Sequence, residues 1–270
     1  MRIGLIQMRC EKGAIEENLE TIARVMSEAK RRKMDILAFP EMCITGYANP
    51  KKYPQAVIRL NGPEIDRFLS MTRGLDATVL AGLIEENFTA QDGADPALAK
   101  PYITHIVARD GKLLGHYRKV TIAEDETDWF SPGDVVPVFQ RDDLIFGIAI
   151  CADAGNAHVF AECAHQGARI VFELAAPGLY GEQATRNWQS GFDWWHTSSL
   201  KDLSGHAKNN GLWIAEATQA GRTIDEDFPG GSLVIAPDGV CQFATPDGQV
   251  GEVWLEIDLS LVRGAVRVLA

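Results

Sequence analysis

The sequence predicts an α/β fold, and three observations carry that expectation. Short, almost wholly apolar runs rich in β-branched residues recur along the chain, Leu144–Ile150 being the clearest, and read as strands buried on both faces. The opening alternates strand, helix and strand. No Ser/Gly/Pro-rich linker, repeat or low-complexity tract divides the 270 residues, so residues 1–270 read as one domain.

Taken in order, Arg2–Met8 is the first buried strand. A helix opening at Asn18 follows, with Leu19, Ile22, Val25, Met26 and Ala29 on one face and a basic Lys30–Lys33 turn suited to a C-terminus. Met34–Phe39 is the second strand, ended by Pro40, with Glu41 directly after it and Ile44–Tyr47 continuing as a loop. Gly62-Pro63-Glu64 starts another helix, Ala77–Ile84 is a strand, and Asn87–Ala99 is a polar surface loop. Tyr102–Ala108 and Lys112–Tyr117 flank Arg109-Asp110-Gly111, a hairpin signal. Neighbouring strand residues face opposite ways, so only one of Arg118 and Lys119 points inward.

The acidic loop from Glu124 to Gly133 encloses Trp129-Phe130, which should fold back on the body. Asp153–Asn156 breaks the Leu144–Ile150 run, and a helical pattern with Val159, Phe160, Cys163 and Ala164 follows. In the next strand, Ala168–Leu174, Glu173 is an acid in an otherwise apolar run, an unusual placement. Tyr180–Gly205 carries Trp188, Trp194 and Trp195, three of the six tryptophans, partly on a helix with Phe192, Trp195, Ser199 and Leu203 near one face. It reads equally as a packing seam or as a wall over a site. Leu212–Thr218, Gly231–Ala236, Val240–Ala244 and Glu252–Ile257 complete the strands, and Leu259–Ala270 is a short tail.

Composition narrows the function. A formal charge of −11 without a basic cluster argues against nucleic acid and anionic membranes. No run is apolar and long enough to span a bilayer, and Met1-Arg-Ile-Gly enters a strand at once, so neither a membrane span nor a signal peptide is expected. Five irregularly spaced cysteines suit free thiols in a reducing cytoplasm. CxxC, HExxH and P-loop patterns are missing, so no metal or cofactor is expected.

The chemistry-bearing residues sit at strand ends. Cys151 follows its strand at a strand-to-helix turn, where free N–H groups lower a thiol pKa and can bind an oxyanion. Glu41 and Lys119 also come straight after strands, and ligands of α/β folds bind at the carboxyl ends of strands. A Cys nucleophile needs a base, which a desolvated Glu supplies, and a positive donor for its oxyanion, which Lys supplies.

The pieces Phe39-Pro-Glu41 with Thr45-Gly-Tyr47, Tyr117-Arg-Lys119 and Ile150-Cys151-Ala-Asp153, with the later Gly230-Gly-Ser232, Pro237-Asp-Gly239 and Glu256-Ile-Asp258, resemble the nitrilase superfamily of carbon–nitrogen hydrolases. The likeness runs from residue 2 to about 258. It implies a four-layer α-β-β-α sandwich that assembles as a homodimer or higher homo-oligomer, without a cofactor. It implies Glu41 as general base, Lys119 as oxyanion stabiliser, Cys151 as nucleophile, Glu126 as the second glutamate positioning substrate and Lys119, and the Ala152 N–H in the oxyanion hole. The expected reaction is hydrolysis of a small amide or N-carbamoyl substrate through a thioester. The alternatives are transfer of the acyl group to an amine, or a non-catalytic binding protein of the same fold. Beyond the nucleophile the chain departs from its relatives: it reads Ala152-Asp-Ala-Gly-Asn-Ala-His158 where many carry an aromatic residue and an Arg-Phe-Pro-Glu-like segment. Tyr47 and Trp129, together with Glu173 and an aromatic wall from Trp188 or Trp195, are the candidate substrate contacts, the acid favouring a cationic substrate unless it pairs with Arg169 or Arg186.

Overall fold

The computed structural model describes residues 1–87, 99–178 and 188–269. One sheet contains β1 (Arg2–Gln7), β2 (Ile36–Ala38), β3 (Val57–Ile58), β4 (Thr78–Glu85), β5 (Tyr102–Arg109), β6 (Lys112–Arg118), β15 (Gly251–Ile257) and β16 (Val266–Val268). Its order is β16-β15-β1-β2-β4-β5-β6, with β3 beside β4. The other contains β7 (Val138–Arg141), β8 (Leu144–Ile150), β9 (Ile170–Ala175), β10 (Trp213–Thr218), β13 (Ser232–Ile235) and β14 (Cys241–Ala244), in the order β14-β13-β10-β9-β8-β7. A small ribbon, β11 (Ala220–Arg222) with β12 (Asp227–Pro229), completes the strands.

Helices α1 (Ile15–Arg32) and α2 (Pro63–Met71) cover the first sheet, and α3 (Ala157–His165) and α4 (Trp188–Asn210) cover the second. The result is a four-layer α-β-β-α sandwich. The alternation of strand and helix forces this layering, because each helix has one apolar stripe and each central strand has two apolar faces to cover. Leu19, Ile22, Val25 and Met26 of α1 pack with Leu37 of β2 and Val79 of β4. A larger cluster joins Ile3, Leu5, Leu80 and Val107 of the first sheet to Ile148, Phe172 and Ile214 of the second, and includes Phe160 of α3 and Leu203 of α4.

Three elements differ from the sequence expectation. Helix α1 starts at Ile15, not Asn18. The Asn18 amide serves the loops instead: Oδ1 accepts from the Glu11 N–H (2.9 Å), and Nδ2 donates to the carbonyls of Glu11 (2.9 Å) and Ile44 (3.1 Å). The short tail contributes a strand outside that expectation, since Val266–Val268 pairs antiparallel with β15 as an edge strand. Glu173 lies inside β9 rather than at its end, directly beside Glu216 of β10. Most of the Asn87–Ala99 loop and residues 180–187 of the tryptophan-bearing segment lie outside the described residues. Among the described residues no helix is long and apolar enough to cross a membrane.

Candidate active site

Each reactive side chain is delivered by a local backbone feature. The turn carrying Glu41 sits against β4, where the Ile44 N–H donates to the Gly82 carbonyl at 2.9 Å. Gly82 permits that approach, because a Cβ there would lie 2.3 Å from the Met42 nitrogen. Lys119 extends the edge of β6, its N–H donating to the Ile103 carbonyl at 2.9 Å. Strand alternation then does what the sequence predicts. Tyr117 and Lys119 turn inward and are buried, whereas Arg118 faces outward, paired with Glu85 and lying over the Tyr102 ring at 4.3 Å. Glu126 ends a single 3₁₀ turn (Glu124–Glu126) and is also buried.

Cys151 begins the 3₁₀ turn after β8 with φ of +48°, a left-handed conformation that costs energy in a non-glycine residue. Asp153 holds that turn. Its carboxylate accepts from the Ile150 N–H (3.0 Å), the Thr121 N–H (2.9 Å) and the Tyr117 hydroxyl (2.7 Å), which ties the Cys151 turn to β6 and the Lys119 loop.

At the centre, the Lys119 ammonium donates to Glu41 Oε1 and to Glu126 Oε2, both at 2.9 Å. The other Glu41 oxygen accepts from the Ala176 N–H just beyond β9 at 3.0 Å. Glu126 Oε1 accepts from the Tyr47 hydroxyl at 2.6 Å, and Oε2 also accepts from the Ala123 N–H at 3.2 Å. Three fully buried ionisable groups persist here because each carboxylate oxygen has a donor and the ammonium is shared between two acids. An ammonium has three hydrogens, so one remains for a further acceptor.

The charges set the proton affinities. Burial raises Glu41 to about 7, with Lys119 opposing the rise and Glu126 adding to it. Burial and the nearby Glu41 charge push the Cys151 thiol well above its ordinary value, against the pull of Lys119. The turn therefore does not produce the lowered thiol pKa expected from a helix start; loss of solvent outweighs it. Burial disfavours the Lys119 ammonium, yet Glu41, Cys151 and Glu126 outweigh burial and hold its pKa well above the ordinary value.

Tyr47 and Trp129 line a cavity of about 400 Å³ rimmed by Lys12, Lys52, Asp125 and Glu226. Lys12 is already tied to Asp225 (2.6 Å) and Glu226 (2.8 Å). A larger groove of about 670 Å³, lined by Asp35, Leu144 and Arg169, lies at the amino ends of β2, β8 and β9 and holds none of the reactive side chains.

The structure thus gathers Glu41, Lys119, Glu126 and Tyr47, puts Cys151 within their electrostatic reach with Ala152 following it, and sets Trp129 beside Tyr47 in the lining of the 400 Å³ cavity. Glu173 is fully buried beside Glu216 and, like Glu41, Lys119 and Cys151, is not among the residues that line the cavity. Neither does it pair with Arg169, which donates to the Leu259 carbonyl; Arg186 lies outside the described residues. Trp188 and Trp195 also do not line the cavity, and the Trp195 indole N–H donates to Thr218 of β10 at 3.1 Å, a seam between α4 and its sheet. Sequence reasoning gave no role to Asp153, Gly82, the Ala176 N–H or Glu216. Only Glu216 had a signal like that of Glu173, an acid within an apolar strand run.

A model of the carbon-nitrogen hydrolase family matches residues 2–267. A glutamine-dependent NAD(+) synthetase of Thermotoga maritima is 30% identical over 88% of this chain, which spans 39% of that relative's length. A second such synthetase, from Acinetobacter baylyi, is 25% identical over 97% of this chain and is spanned to 45%. An (R)-stereoselective amidase of Pseudomonas is 23% identical, with 99% of this chain and 88% of the relative covered. Among solved structures, an amidase from Nesterenkonia superposes with a TM-score of 0.76 at 22% identity, covering 94% of this chain and 89% of that one.

Proposed function

The chain belongs to the carbon–nitrogen hydrolase family, and from that premise we propose that it hydrolyses a small carboxamide or N-carbamoyl compound through a thioester on Cys151. The observation that carries the reading is the buried Glu41–Lys119–Glu126 network with Cys151 in its field. The thiol is protonated at rest, so Glu41 takes its proton as the sulfur attacks the substrate carbonyl carbon. Lys119 uses its remaining hydrogen, with the Ala152 N–H, to hold the oxyanion. The C–N bond then breaks, the proton on Glu41 goes to the departing nitrogen, and ammonia or an amine leaves. Water activated by the freed Glu41 carboxylate cleaves the thioester and releases the acid.

Glutamine-dependent relatives and an amidase among the similar proteins support a carboxamide, while a probable nitrilase of Schizosaccharomyces pombe among them keeps nitriles in the test. The mixed rim of Lys52 and Asp125 suits a small polar substrate, including one with both an ammonium and a carboxylate. The test is ammonia release from ω-amides such as glutamine, simple amides, N-carbamoyl compounds and nitriles, with Cys151→Ala alongside. Release from one group, absent in the variant, supports the reading and names the substrate. Full turnover by Cys151→Ala overturns it. Added hydroxylamine distinguishes an acyl-transferring enzyme, which diverts most product to the hydroxamate.

A further inference from the structure

The molecule buries a second pair of acids that the reaction does not use. Glu173 of β9 and Glu216 of β10 are directly opposed in the parallel register and are fully buried. Side chains of opposed residues on neighbouring strands leave the sheet on the same face, within contact distance. The Ser199 hydroxyl of α4 donates to Glu216 Oε1. Among the described residues neither acid has a cationic partner, and no N–H or hydroxyl group reaches either oxygen of Glu173. Among the described residues the group that can satisfy Glu173 is therefore the Glu216 carboxyl, and two carboxyls hydrogen-bond only when one of them carries a proton.

We propose that Glu173 and Glu216 hold one proton between them, Glu173 being the protonated member, and that this acid pair is a positioning element for the catalytic centre. Glu173 carries the proton because Ser199 already donates to Glu216, which favours the charge there. The pair occupies the joint where α4 meets β9 and β10. β9 leads directly to the Ala176 N–H that orients Glu41. The groups acting on Glu173 are Glu216 from β10, Glu41 from the turn after β2, and Asp153 and Cys151 from the turn after β8; α4 presents Ser199. Beyond β13, Cys241 of β14 feels Glu216. Most of these neighbours are acids or thiols, so the shared proton limits the local charge to one and leaves Glu41 free to ionise. Burial and the facing Glu216 raise Glu173 well above the ordinary carboxyl range, as a retained proton requires.

The test uses the full chain and Glu173→Gln, which keeps the volume and supplies an N–H in place of the acid hydrogen. A carboxyl whose folded pKa is raised binds a proton that the unfolded chain has released. Its stability contribution is therefore present at low pH and is lost as pH rises from the unfolded carboxyl value towards the folded one. Wild type should lose folding equilibrium relative to Glu173→Gln by up to about tenfold per pH unit across that window. Parallel stability curves overturn the shared proton. The link to Cys151 rests on the hydrolase reading, whereas the stability curve does not, so the two can fail separately. For that link the readout is the pH midpoint of Cys151 alkylation by iodoacetamide. With the proton retained the pair carries one negative charge in wild type and in Glu173→Gln, and none in Glu216→Gln, where Glu173 stays protonated. Glu216→Gln should therefore alkylate with a midpoint lower by roughly half to one pH unit, and Glu173→Gln should alkylate as wild type does. An unchanged midpoint in Glu216→Gln overturns the positioning role.

Discussion

Two regions of the molecule bury acids at the same depth and solve the problem in opposite ways. Around Lys119, two glutamates stay within reach of one ammonium, and each carboxylate oxygen has a donor. Around Glu173 there is no cation among the described residues, and two glutamates face each other with one serine hydroxyl between them and the helix layer. Charge neutralisation by a cation keeps Glu41 near 7, close to where a general base is most effective. Neutralisation by a proton keeps Glu173 an acid. The contrast shows that burial alone does not make a base; the partner decides whether a desolvated carboxyl can ionise.

The largest effect should come from removing the group on which both regions act. Cys151→Ala should show no hydrolysis above background in the ammonia assay while melting within a few degrees of wild type, since alanine keeps the same left-handed backbone and loses only the sulfur. Lys119→Ala should cut kcat/KM by about 10²–10³, the usual cost of one oxyanion donor. It should also lower stability by about 3–5 kcal/mol, because it leaves two buried glutamates without their cation. A Lys119→Ala protein as stable as wild type would mean that the charged network is not the stabilising arrangement described above.

The pH profile sharpens the comparison further. Glu41 must be ionised to act, so kcat/KM should fall as pH drops through about 7. In Glu126→Gln the charge that raises Glu41 is gone, and the acid limb should move down by roughly one pH unit. A limb that stays in place would assign the titration to another group. The smallest effect should be that of Tyr47→Phe, which removes a hydroxyl donor to Glu126. It should cost about 1.5–3 kcal/mol in a denaturant melt, with kcat less affected than after Lys119→Ala.

How far these features were legible in the sequence follows from their physical range. Glu41, Lys119 and Cys151 are readable because each ends a strand, and strand ends are marked locally by Pro40, by the far end of a hairpin arm and by the break at Asp153. Layer order follows from apolar periodicity for the same reason. The helix start at Ile15 was displaced because Asn18 satisfies carbonyls from Glu11 and Ile44, a contact across loops that no local capping pattern encodes. The thiol expectation had the wrong sign because a strand-to-helix turn is visible in sequence, while the depth of burial around Cys151 is set by segments far along the chain. Glu173 stood out as an acid in an apolar run. Its partner is 43 residues away, on a strand whose parallel register appears only in the folded sheet.

The most direct measurement is mass spectrometry of enzyme quenched during turnover of whichever amide or N-carbamoyl substrate releases ammonia. The peptide carrying Cys151 should gain the mass of the substrate's acyl group, and hydroxylamine should remove it. Turnover with no adduct at Cys151, or an acyl group carried by Cys10, Cys43, Cys163 or Cys241 instead, would contradict the assignment of nucleophile and network together.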